Sequence, residues 1–173
     1  TACDTKKPEK GKKGRPSTIT RIAWLLADQF SQDPDNQLVI TPTDKAYLWM
    51  SVGDHRQLFD LDSKEFRAWL SGLYSDRHQR AVLSSSAVRD NRDAIVSMLA
   101  RIKPPQKIDL KIKTAMLDGE IFYDLGEEDW RCVKMSPTTG VEIVPAPLGL
   151  RRTKAQGAQV MPDLTATPAD MDR

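Results

Sequence analysis

The chain has 173 residues with a formal net charge of +2, and its composition is 39% hydrophobic and 29% charged. That length fits one domain, or one domain with tails. The small net charge does not indicate a nucleic-acid partner, because the distribution of charge matters more than its sum. The two cysteines, Cys3 and Cys132, cannot form a disulfide framework or a zinc site, so we expect a reducing cytoplasm. The sequence holds neither an apolar run of transmembrane length nor an export signal, so we expect no membrane association.

Both ends of the chain have the composition of unstructured tails. Residues 1–16 carry six Lys or Arg and almost no apolar side chain, so we predict a disordered basic arm. Such an arm either neutralises phosphates or is a solvated leader or linker. Residues 145–173 hold four prolines among small polar residues, which predicts a disordered tail or linker. One folded domain is therefore expected over residues 17–144, and the initial threonine leads us to expect part of a longer protein.

The first third of the chain predicts a helix followed by a β-hairpin. A helix can begin at Ser17 or Thr18, and its apolar residues recur at helical spacing. Residues 46–52 then alternate as in a strand, Gly53-Asp54 forms a turn, and residues 57–59 return.

Two further helices are predicted next. Asp62 or Ser63 can cap the second helix, whose apolar stripe lies within residues 66–74. Residues 84–86 offer caps to the third helix, whose stripe lies within residues 95–102 and is followed by two prolines. Because the connection between them is short, the two stripes should pack together in one core.

The remaining residues predict an antiparallel meander. Residues 107–113 alternate between apolar and charged side chains, as in a strand with one buried face. Asp118-Gly119 is the commonest two-residue hairpin signal, and strands follow at 120–125, 130–135 and 141–144. The predicted fold is therefore α+β, with three helices, one β-hairpin and a C-terminal antiparallel β-meander.

An acidic stretch over residues 118–133 raises the question of a metal centre, because it holds six carboxylates in sixteen residues. Glu120 and Asp124 share a strand face, but strand rise separates them by about 13 Å. Ions in a two-metal site lie only about 4 Å apart, so those two side chains cannot share one. The other carboxylates fall in predicted turns, which indicates an ordinary hairpin. Asp124 could still meet residues 127–129, and this leaves a small metal-dependent enzyme as one hypothesis.

Other chemical motifs are not present in the sequence. His55 and His78 are the two histidines, and neither has a Cys, His or Asp partner at metal-ligand spacing. The chain also holds no P-loop, no nucleophile elbow and no dinucleotide fingerprint. We therefore predict a protein that is not an enzyme and that uses neither a cofactor nor a metal.

Several dispersed motifs nevertheless occur in an order that marks a resemblance. They are Gly53-x-His55-Arg56, Phe66-Arg67-x-Trp69-Leu70, Asp124-Leu125-Gly126 followed by Trp130-Arg131, and a proline-rich exit with Arg151-Arg152. Residues 47–152, which carry them, resemble a region of large prophage- and mobile-element-encoded ATP-binding proteins. In those proteins a similar block lies directly upstream of a P-loop helicase-type ATPase domain, and many carry a primase region further upstream. The resemblance implies an accessory position in DNA replication beside that ATPase domain, and it transfers no catalytic residue.

Such a position favours a domain that contacts DNA through its phosphates, weakly and in a salt-dependent way. Phosphate contacts need Lys and Arg on a folded surface. The candidates are Arg67, Arg77, Arg89, Arg92, Lys111, Lys113, Arg151 and Arg152. The second and third helices with the following hairpin could also form a winged-helix arrangement with Asp118-Gly119 at the wing tip. That turn is acidic and would repel phosphate, which favours a protein contact there.

A second hypothesis makes the chain a protein–protein adaptor. Tyr47 and Trp49 share one face of a predicted strand, where they could dock a partner or the ATPase domain. Aromatic side chains on a strand could also stack on bases or belong to the core. A continuous basic groove would favour nucleic-acid binding, whereas an exposed apolar patch would favour the adaptor.

Overall fold

The computed structural model describes residues 17–78, 83–153, 156–162 and 164. It confirms a mixed α+β fold, with four helices and ten strands in the described part of the chain. The helices are α1 (Thr18–Gln32), α2 (Lys64–Arg77), α3 (Ser85–Asp90) and α4 (Arg92–Ile102). The strands are β1 (Gln37–Ile40), β2 (Ala46–Val52), β3 (His55–Asp60), β4 (Gln106–Lys107), β5 (Lys111–Ile112), β6 (Thr114–Leu117), β7 (Glu120–Asp124), β8 (Arg131–Ser136), β9 (Gly140–Pro145) and β10 (Leu150–Arg151).

A central sheet of order β3-β2-β1-β4 divides the molecule into two cores. Successive side chains of a strand point to opposite faces. Leu48 and Met50 of β2 pack in the core that also contains the buried side chains of the helices. Tyr47 and Trp49 pack in a second core, together with Trp130 and other residues of the C-terminal strands. The sheet therefore carries a helical layer on one face and the meander on the other.

The helical layer forms where the capping and apolar patterns predict it. The Ser17 hydroxyl accepts a hydrogen bond from the amide of Thr20 at 3.2 Å, and the Ser63 hydroxyl accepts one from Phe66 at 2.9 Å. Each bond satisfies one of the amides left free at a helix N-terminus. The predicted stripes of α2 and α4 meet in one core, where Phe66 is 1% exposed and Leu99 is fully buried.

The predicted third helix is two helices. Asn91 separates α3 from α4 with a backbone of φ −113° and ψ 13°, outside the helical region. Its side-chain amide donates to the carbonyl of Ala87 at 2.8 Å, so the amide competes with the helical hydrogen-bond pattern. The prediction of three helices is therefore corrected to four in the described residues, and the winged-helix arrangement stays a prediction.

The meander is a sheet of order β6-β7-β8-β9. Asp118 and Gly119 have φ values of 52° and 82°, which are the two positive φ angles that a type I′ hairpin turn requires. The alternating segment before it is not one continuous strand. Its first part, β4, pairs in parallel with β1, whereas β5 pairs with β10. Ile112, which the alternation predicts on the buried face, is 44% exposed.

Ordered structure continues past the predicted domain boundary at residue 144. Ala146 and Leu150 are buried in the second core, and β10 adds a short parallel pair to β5. Further on, the amide of Gln159 donates to the carbonyl of Leu125 at 2.7 Å. Contacts of this kind, between residues far apart in the sequence, give a proline-rich segment fixed positions although it has no long apolar run. Residues 1–16, the predicted basic arm, and 165–173, the end of the predicted tail, lie outside the described residues.

Candidate nucleic-acid interface

A basic groove lies between α2 and α3. It has a volume of about 350 Å³ and is lined by Lys64, Arg67, Ala68, Ser71 and Arg89. Along α2, Lys64 is followed three and four residues later by Arg67 and Ala68, and these are followed by Ser71 at the same spacings, so helical geometry places all four on one face. The remaining one comes from α3. The lining residues include three cations and no carboxylate.

The cations of this basic groove have no carboxylate partner among the residues that the structure describes. Arg67 donates from Nη1 to the backbone carbonyl of Asp62 at 2.7 Å, which orients the guanidinium without cancelling its charge. Neither Lys64 nor Arg89 forms an ion pair with any residue that the structure describes. The Ser71 hydroxyl donates to the carbonyl of Leu83 at 3.2 Å and fixes the chain that leads into α3. The groove can therefore offer its cations to an anionic ligand.

The other arginines predicted to contact DNA on the helices are engaged in ion pairs. Arg92 lies 3.0 Å from a carboxylate oxygen of Asp62 and 2.9 Å from one of Asp93. Arg77 lies 3.0 Å from Asp28. The fold thus brings Arg67 and Arg89 together and leaves these two outside the groove lining.

The predicted basic residues of the C-terminal half do not join this groove. Lys111 pairs with the carboxylate of Asp109, and Lys113 is exposed beside it. Arg151 belongs to β10 and lines a separate groove beside Tyr47. The eight predicted residues therefore do not form one continuous surface.

Arg152 is a structural residue, which corrects its assignment as a phosphate contact. Its Nη2 and Nε lie 2.6 Å and 2.9 Å from the two carboxylate oxygens of Asp124, whose side chain is 2% exposed. The guanidinium carbon also lies 4.2 Å from the ring centre of Trp130, a cation–π contact. The guanidinium is paired with a buried carboxylate and its side chain is only 16% exposed, so it serves to hold the fold together.

Tyr47 and Trp49 do not form the predicted partner-binding face. They are 4% and 5% exposed, because the meander covers that side of the central sheet. Trp49 packs edge-on against Trp130 with ring centroids 6.4 Å apart. Burial raises the pKa of the Tyr47 phenol above its ordinary value of 10.0. Both side chains are core residues.

Four of the six carboxylates in the acidic stretch form ion pairs with basic side chains, and the other two, Asp118 and Glu128, are exposed. Glu127 and Asp129 lie 2.7 Å and 2.6 Å from nitrogens of Arg131, and Glu120 lies 2.9 Å from Nζ of Lys134. The hydrogen bond to Lys134 lowers the pKa of Glu120. Within the described ranges, no group of three or more His, Cys, Asp or Glu side chains could hold a metal ion. The prediction that the chain is not an enzyme stays a prediction.

A polar cluster fixes the N-terminal hairpin against the end of α1. The carboxylate of Asp33 accepts from the Ser51 hydroxyl at 2.7 Å and from Nη2 of Arg56 at 2.6 Å. The hydrogen bond from Ser51, aided by the Asp35 amide and by Arg56, lowers the pKa of Asp33 to about 2. A carboxylate with all of these donors stays charged at neutral pH, so the cluster is a structural anchor.

Two surface features were not predicted. Lys64 completes the basic groove. It could have been identified from the sequence, because it lies one helical turn before Arg67 on the same predicted helix. Trp24 of α1 is 64% exposed. It lies between the buried stripe positions Ile22 and Leu26, so helical periodicity alone would have placed it on a different face.

Comparison with protein-family models, with curated proteins and with solved structures gives no match to this chain. No helix in the described part of the chain has both the length and the apolar character to cross a membrane. The resemblance to prophage-encoded ATP-binding proteins therefore stays a prediction, and the functional argument rests on the geometry of the chain itself.

Proposed function

We propose that this chain is a non-catalytic nucleic-acid-binding accessory domain, of the kind that flanks the ATPase domain of a phage-type primase–helicase in the cytoplasm. The observation that supports this is the basic groove of Lys64, Arg67 and Arg89, whose lining contains no carboxylate. Binding of a polyanion in this groove would be favourable because it releases counterions from the phosphates.

The two arginines make phosphate a better ligand for this groove than an anion without paired oxygens. Each guanidinium presents a planar fork of donors that matches two phosphate oxygens. Arg67 is already oriented by the Asp62 carbonyl, so less side-chain freedom is lost when it binds. Three cations on one groove form a small interface, and this explains why we expect weak binding without base readout.

The affinity for DNA should fall steeply with salt. If the three cations of the basic groove each contact one phosphate, raising the salt from ~50 to ~200 mM should weaken binding about 20- to 40-fold. Fluorescence anisotropy of a labelled oligonucleotide at several salt concentrations measures this slope. Absence of binding at ~50 mM salt would show that the proposed function is wrong.

A specific observation also favours the adaptor hypothesis, although on a different surface. Met116, Ile121, Met135 and Val141 are successive cross-strand partners in the meander, so their side chains lie in one row. Met116 is 72% exposed, Met135 38% and Val141 52%. An exposed apolar row of this kind is typical of a protein contact. The natural partner for it would be the neighbouring ATPase domain that the resemblance implies.

Placing lysine at both ends of this apolar row tests the adaptor hypothesis. Met116→Lys combined with Val141→Lys should leave the melting temperature nearly unchanged, because both side chains are solvated. It should abolish binding to a P-loop ATPase domain from the resembled proteins, measured by isothermal titration calorimetry, and leave DNA binding unchanged. Equal binding of that ATPase domain by the variant and the unmodified chain would rule out this surface.

A further inference from the structure

A second groove lies on the outer face of α1, where it meets the end of α2. Its volume is about 370 Å³, and its lining includes Arg21, Trp24, Asp28, Arg77 and His78. Trp24 is the one aromatic residue among the large hydrophobic side chains exposed in the described part of the chain. Because tryptophan is mostly buried in folded proteins, such exposure beside basic residues indicates a binding role.

The charges around Trp24 favour an anionic ligand. Arg21 lies one helical turn before Trp24 and forms no ion pair with the described residues. Arg77 lies on the other side, 3.0 Å from Asp28, and both of these side chains are 52% exposed. An ion pair so exposed contributes little to stability, so Arg77 can exchange its partner for a phosphate at small cost.

We propose that Trp24 is a stacking platform for a base of single-stranded nucleic acid, with Arg21 and Arg77 contacting the adjoining phosphates. This inference rests on the proposed function and extends it from phosphate binding to single-strand binding. Aromatic side chains bind single strands by stacking because every base has a π-face, and they do so with little sequence preference. The indole would stack on the base, and the guanidinium groups beside it would contact the phosphates.

The geometry of α2 connects the Trp24 groove with the basic groove. Arg67 lines one and Arg77 lines the other, ten residues further along the same helix. At the helical rise this is about 15 Å along the axis. A stacked strand covers that distance with about four nucleotides. Because the two positions also differ by about 80° around the helix, the strand would follow the surface of α2 to reach both grooves. A duplex would hide its base faces from Trp24, whereas a single strand exposes them.

The test compares a labelled oligothymidine of about 15 nucleotides with an abasic oligomer of the same length, by fluorescence anisotropy. Trp24→Ala should weaken oligothymidine binding at least about fivefold and leave the abasic oligomer unaffected. Trp24→Phe, which keeps a π-face, should restore most of the affinity. Met116→Ala is the matched control, because it removes another exposed apolar side chain and should change neither affinity.

The outcomes separate this inference from the proposed function. If Trp24→Ala binds oligothymidine as tightly as the unmodified chain does, stacking is excluded, while nucleic-acid binding itself stands. If the unmodified chain binds neither oligomer, both proposals are wrong. Sedimentation velocity of the chain and of Trp24→Ala provides the third comparison. A dimer that becomes monomeric in the variant would show that Trp24 contacts a second copy, and would overturn the inference.

Discussion

Replacing Arg67 and Arg89 together by glutamate should reduce the affinity for oligothymidine about 100-fold at ~50 mM salt. Both side chains line the basic groove, and neither is paired with a carboxylate of the described residues. Hydrogen bonds to charged groups contribute about 1.5–3 kcal/mol each, so the loss of two is sufficient for this effect. The slope of log affinity against log salt should also become shallower by about 1.4, because two fewer counterions are released from a single strand.

Arg101→Glu is the control for this double variant. Arg101 lies at the end of α4, is exposed, and forms no ion pair with the part of the chain that the structure describes. Its replacement changes the net charge but leaves the basic groove intact, so it should weaken binding only slightly. If it weakens binding as much as the double variant does, net charge rather than the groove determines affinity. Arg67→Gln with Arg89→Gln, a change without added negative charge, should give an intermediate loss at an unchanged melting temperature.

Local elements were predictable because their signals are carried by neighbouring residues. The serine caps of α1 and α2 lie three residues before the amides that they accept from. Asp118-Gly119 adopts the two positive φ angles that its sequence favours. In each case the physical cause acts within one turn of chain, so no tertiary information is needed.

Elements that depend on distant partners were predicted less well. The four-residue β1 is too short to show a period, and it becomes a strand by pairing with β2 and β4. The alternation of β2 predicted which side chains share a face of the strand. It did not predict that other parts of the chain would cover both faces. Tyr47 and Trp49 are buried by Trp130 and its neighbours, about eighty residues further along the chain. A strand covered on both faces cannot be distinguished locally from one with an exposed aromatic face.

The candidate site shows the same limit. The eight basic residues predicted as phosphate contacts were selected by charge alone, and charge does not reveal which of them have carboxylate partners. Arg77 and Asp28 are 49 residues apart in sequence, and Arg152 and Asp124 are 28 apart. Only the fold shows that these two arginines are paired, whereas Arg67 and Arg89 have no carboxylate partner within the described ranges. Helical spacing could have added Lys64, since it places that residue on the face of Arg67.

Asp124→Ala should destabilise the domain by about 3–5 kcal/mol, because removing one partner of a buried ion pair leaves the other charge uncompensated. The carboxylate of Asp124 binds Arg152 and also accepts hydrogen bonds from the amide of Gly126 and the side chain of Gln156. Its loss therefore releases both the guanidinium over Trp130 and the segment that carries Gln156. Urea unfolding followed by tryptophan fluorescence measures the change, and Glu128→Ala, in the same acidic stretch but exposed, should be nearly neutral.

A double replacement shows whether the ion pair itself stabilises the fold. The alternative is that Asp124→Ala is destabilising only because it leaves the charge of Arg152 buried without a partner. Asp124→Leu with Arg152→Met removes both charges and keeps an apolar side chain against Trp130. A buried ion pair replaced in this way often costs little, so most of the stability lost in Asp124→Ala should return. If Asp124→Ala itself unfolds at the same urea concentration as the unmodified chain, the C-terminal segment is not held by this ion pair. DNA binding by the double variant should match that of the unmodified chain, because the basic groove lies on α2 and α3.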